Sequence, residues 1–106
     1  MSLDNVEVVD AVGTETRDGT VVLSIIDAWD WSDEQRHLRA LQDKLNAYFD
    51  FVESGQIYEA YPEAAGQPLR IDVVSKFPIP DVGLAFLARA STVAAELNMT
   101  VTHRVH

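Results

Sequence analysis

A chain of 106 residues fits one domain, and one of that size buries roughly two-thirds of its unfolded surface, enough for a core without disulfides or metals. It has no cysteine, which excludes disulfides and thiolate chemistry and fits a cytoplasmic protein. A formal charge of −9 argues against nucleic-acid binding, which needs a basic footprint to displace counterions. No apolar run approaches membrane-spanning length, and no basic start followed by an apolar stretch marks a signal peptide.

The first elements read as strands. Val6 to Val12 and Val21 to Ile26 are rich in β-branched residues, which suit a pleated, partly buried surface. Asp18-Gly19 between them supplies the left-handed geometry of a hairpin, so the two pair antiparallel. A helix then starts at Ser32, whose hydroxyl caps it while Gln35 reaches back. Leu38, Leu41, Leu45, Tyr48, Phe49 and Val52 give its apolar stripe, and Gly55 stops it. His37 lies four residues after Asp33 and pairs with it on an exposed face.

Residues 56–68 form a loop with at most a short helical turn, and Tyr58 and Tyr61 fold over the helix end to close the core. Leu69 to Phe77 is a strand with Leu69, Ile71, Val73 and Phe77 on one face and Arg70, Asp72 and Lys76 on the other. Pro78 and Pro80 end it. A second long helix runs from Asp81, a reasonable cap, to Leu97, with Phe86, Ala90, Val93 and Leu97 as its stripe. Asn98 stops it, and Met99 to Val105 is the last strand, with His103 beside Val101 and Val105 on the apolar face. The expected architecture is one α+β domain over residues 1–106. It is a two-layer sandwich in the order β-β-α-β-α-β, with a four-stranded mixed sheet and both helices on one face.

Charge is unevenly spread. Residues 1–26 hold five acids and one base, residues 27–63 nine acids and three bases, and residues 64–106 three acids and four bases. Crossover connections gather the ends of strands two to four at one edge, the usual ligand side of such sheets. The candidates there are Asp27, Trp29, Asp30, Asp81 and His106, with Trp31, Pro78, Pro80 and Arg104 nearby. Carboxylates with an imidazole suit a divalent cation or acid/base chemistry. The blander reading, helix caps and a core plug, carries more weight, so no catalytic residue, metal ligand or cofactor is assigned. The glycines are scattered singly and the serines lack a nucleophile elbow.

The run Glu53-Ser54-Gly55-Gln56-Ile57-Tyr58-Glu59-Ala60-Tyr61-Pro62-Glu63, preceded by Asp30-Trp31 and by Leu41-Gln42-Asp43-Lys44-Leu45-Asn46-Ala47-Tyr48, resembles a small family of functionally uncharacterised bacterial proteins, a domain of unknown function. That resemblance implies a bacterial, cytoplasmic protein and carries no catalytic residue with it. The leading expectation is a non-enzymatic interaction module that dimerises through the open sheet face, where Arg70, Asp72, Lys76, Thr102 and Arg104 lie beside Val9, Val22, Ile26 and Val74. One alternative is an acidic inhibitor or immunity-type protein that binds a basic partner. The other is a metal-dependent or acid/base enzyme at the strand-end edge, using Asp27, Asp30, Asp81 and His106.

Overall fold

The computed structural model describes Leu3 and residues 9–106; the part of the expected first strand from Val6 to Val8 lies outside them. Four strands form one sheet in the order β1-β2-β3-β4. β1 (Ala11–Thr14) runs antiparallel to β2 (Val21–Asp27), and β3 (Leu69–Ser75) and β4 (Met99–Val105) continue the sheet in parallel. The first strand thus begins at Ala11, with Val9 and Asp10 outside it. The hairpin turn closes through Glu15 N–H to Thr20 O at 2.8 Å, with Gly19 at φ +80°, a backbone that glycine adopts without steric cost.

Strand alternation divides the sheet into two faces. Val21, Leu23, Ile25, Ile71, Val73 and Met99 are buried under the helices, while Val22, Ser24, Arg70, Asp72, Thr100 and Thr102 alternate onto the other side. The long helices α1 (Glu34–Glu53) and α3 (Asp81–Glu96) lie side by side on the first face. Leu45 and Phe49 of α1 line one cleft with Phe86, Ala90 and Val93 of α3. The expected loop is more ordered: a short helix α2 (Gln56–Ala60) and a 3-10 turn (Pro62–Ala64) seat Ile57 and Ala64 in the core. Tyr61 packs against that core, but Tyr58 is 40% exposed and does not close it.

Local chemistry corrects both helix starts. Asp33, not Ser32, caps α1, its Oδ1 accepting Arg36 N–H at 3.1 Å; Ser32 instead donates backbone and hydroxyl hydrogens to Asp30 Oδ1. Asp81 is the first residue inside α3, and Pro80 precedes it without a side-chain cap. The proline's fixed φ suits that position. Both stops are as expected: Gly55 has φ +83° after α1, and Asn98 has φ +59° after α3. β3 ends at Ser75, leaving Lys76 and Phe77 exposed beyond it.

Candidate functional site

The strand-end edge forms as topology requires. Lys76 N–H donates to Asp27 O and His106 N–H to Ser75 O, so the ends of β2, β3 and β4 are aligned. Asp27 is the last residue of β2 and alternates onto the helix face, where it is 1% exposed. Burying a carboxylate demands a partner. Its Oδ1 accepts the N–H of Trp29, and its Oδ2 meets His37 Nε2 at 2.5 Å.

His37 is therefore not on an exposed face with Asp33. It is 1% exposed, because positions 37, 41, 44, 48 and 52 form the true inner stripe of α1. Its other nitrogen, Nδ1, lies 2.9 Å from Asp30 O. A carbonyl only accepts, so Nδ1 carries a proton, and Nε2 shares a further proton with the Asp27 carboxyl group. Trp31 stacks on the imidazole at 3.6 Å between centroids and Trp29 meets it edge-on at 5.7 Å. The far rim of the Trp31 ring rests on α3, where Gly83 has no side chain to displace it.

This arrangement has the composition of an acid/base pair and the accessibility of a strut. Both imidazole nitrogens are engaged, both side chains are sealed, and among the described residues no hydroxyl or thiol nucleophile is bonded to the pair. Asp30 is exposed, and the Ser32 hydroxyl and then its backbone N–H hold the Asp30 carboxyl below its ordinary range. Asp81 and His106 are exposed and take no part in the Asp27–His37 contact. Among the described residues no three His, Asp or Glu side chains converge in a way that could hold a metal ion. Also among them, Trp31 Nε1 and Ser75 Oγ are buried without a hydrogen-bond partner.

A second buried charge went unread in the sequence. Lys44 is fully buried on α1, and Asp10 Oδ1 is among its partners at 3.0 Å. Asp10 Oδ2 accepts Ile26 N–H, and Asp10 N–H donates to the Tyr48 hydroxyl, which itself donates to Ser24 O at 2.7 Å. Burial raises the Tyr48 phenol well above its ordinary value, and the neighbouring Asp10 charge adds to the rise against the opposing Asp10 N–H bond. The signal was available: His37 and Lys44 fall in register with Leu41 and Tyr48.

On the open sheet face the expected interface residues sit close together, but their charges are already paired. Arg104 Nε lies 3.2 Å from Asp72 Oδ2, Thr102 donates to Asp72 Oδ1, and Arg70 bonds Glu15 at 2.8 Å. Lys76 instead lies over the Phe77 ring. Val22, Ile26 and Val74 alternate onto this face as expected, whereas Val9 packs against the core. His103 also departs from expectation: it shares the helix-side alternation with Val101 and Val105, yet it and Val105 are exposed because β4 is the outermost strand.

A broad depression of about 980 Å³ lies along α1 and α2. Asp43, Asp50 and Glu59 rim it, with Phe51, Ala47 and Val9 supplying apolar surface. No lysine or arginine is among the described residues that line it.

Over residues 1–106 the sequence matches the model of a family of unknown function, DUF6572. Neither the curated proteins nor the solved structures supply a match.

Proposed function

This chain belongs to the DUF6572 family, and we propose that it is a non-enzymatic protein-binding domain whose α1–α2 groove receives a basic partner. The observation that carries this reading is the groove itself, in which three carboxylates stand beside Val9, Ala47 and Phe51. It stands in the most acidic third of a chain of net charge −9. Carboxylates at the rim steer a cationic partner and set its register, while burial of Phe51 and Ala47 supplies the non-directional part of the affinity. The sealed state of Asp27 and His37 supports a binding role over acid/base catalysis. A bacterial, cytoplasmic setting for an inhibitor or immunity-type protein is part of the proposal. No helix among the described residues is long and apolar enough to cross a membrane.

Calorimetry with a lysine-rich amphipathic peptide tests the reading. Binding should weaken steeply as salt rises, since rim charges are screened over about 8 Å at physiological ionic strength. Asp43→Lys, Asp50→Lys and Glu59→Lys together should abolish it. Glu34→Lys, Asp81→Lys and Glu96→Lys, equal in charge change but outside the groove, should leave most of it. Equal loss in both triple variants would mean that net charge alone attracts the peptide, and the groove would lose its assigned role.

A further inference from the structure

We propose that two copies of this chain associate by antiparallel pairing of their β4 strands, extending the sheet to eight strands across a two-fold axis. The proposal is independent of the acidic groove, which lies on α1 and α2 at a different part of the molecule.

β4 is the edge of the sheet and pairs with β3 without interruption from Met99 to Val105. Backbone groups alternate in direction along a strand. His106 N–H points to Ser75 O of β3, so the groups of Val101, His103 and Val105 point away from the sheet. Edges of this kind are normally blunted by proline, lysine, a bulge or a short strand. Here the strand is seven residues long without proline, lysine or bulge, and its one fixed charge, Arg104, is held by Asp72. No described residue pairs with its outer side, and an edge of such regular geometry is a template for another strand.

The charge layout selects a second copy as the occupant. Residues 97–106 contain no aspartate or glutamate, so two chains of net charge −9 meet here with the least repulsion. The adjoining flank of α3, on the side away from α1, shows Leu84, Ala88, Ser91 and Ala95. It is uncharged and mostly small, allowing the α3 helices of two copies to approach above the joined strands. Val105, 53% exposed, and Leu84, 39% exposed, both gain cover.

The register follows from using the whole strand. Centring the axis on Thr102 sets Val101 against His103 of the second copy and Met99 against its Val105. Arg104 then faces Thr100 of the second copy, and no two like charges are opposed. The two Thr102 residues form a non-hydrogen-bonded pair with Cα atoms about 4.5 Å apart, within disulfide reach. Two Thr100 residues lie roughly 14 Å apart, four residues out of register.

The absence of cysteine makes this register directly readable. Thr102→Cys should form a disulfide-linked dimer on mild oxidation, and Thr100→Cys should not. Sedimentation of the unmodified chain should show a concentration-dependent dimer, and Ala88→Arg, at an exposed helix position, should weaken it at least about tenfold while the circular dichroism stays unchanged. A strict monomer at high concentration in low and high salt alike would overturn the proposal. So would a dimer in which Thr100→Cys links as readily as Thr102→Cys, or one indifferent to Ala88→Arg.

Discussion

At the residue scale the buried polar groups decide most. Asp27→Ala leaves His37 Nε2 and Trp29 N–H without their acceptors, and breaking a buried charged pair on one side costs about 3 kcal/mol or more. Asp27→Asn keeps the shape: its amide oxygen accepts from Trp29 and its NH2 donates to Nε2 of a neutral His37. That variant should cost under about 1.5 kcal/mol in urea unfolding, the net worth of an ordinary hydrogen bond. A loss as large as alanine's would show that the shared proton and its charge hold the site. Tyr48 makes a pH prediction. Its phenol is raised in the folded protein, so the folded chain keeps a proton that the unfolded chain releases above about pH 10. The resulting stability is complete below that pH and declines as the pH rises further. Tyr48→Phe should lower stability at neutral pH by about 1–3 kcal/mol through the orphaned Ser24 carbonyl and Asp10 N–H, and should flatten the alkaline decline in a melting series. These side chains were hard to read because a histidine or lysine on a helix counts as exposed until its partner is known. The partners, Asp27 and Asp10, come from other elements.

At the element scale, periodicity read well and side-chain detail did not. Met99–Val105 follows from alternation, as does the strand from Leu69, which ends at Ser75 short of the expected Phe77, and the stops at Gly55 and Asn98 follow from their tolerance of positive φ. The start of α1 shifted from Ser32 to Asp33 because Ser32 is held in a turn by Asp30, and two neighbouring cap-forming residues cannot be ranked without that contact. Packing between elements sharpens the point at Gly83. In an isolated helix Gly83→Ala would gain about 1 kcal/mol. Here the added Cβ would sit 2.6 Å from Ile79 Cγ2 and 3.0 Å from the Trp31 ring. The overlap involves a β-branched side chain and a rigid indole, and overpacking of this kind costs about 1–3 kcal/mol. The variant should melt below the parent, with a changed near-ultraviolet spectrum as Trp31 shifts on His37. An unchanged or higher melting temperature would show that the Trp31–α3 contact yields easily.

At the scale of the whole molecule, charge and topology were set at different levels. The acidic middle third and the nearly neutral last third are properties of composition, and they persist in the fold as an acidic α1–α2 side and a β4 strand without aspartate or glutamate. Strand-end residues met at one edge because two crossovers impose it, whatever their side chains. The α+β order, the hairpin and the strand-end edge were determined by the sequence alone, since each depends on local spacing or on connectivity. Only the tertiary structure decided that Asp27 and His37 form a sealed pair, that Lys44 is buried, and that the arginines of the open face are neutralised by Asp72 and Glu15. The reason is physical. Burial of a charge is fixed by partners ten to fifty-five residues away, and no local pattern records which of them will be within hydrogen-bonding distance.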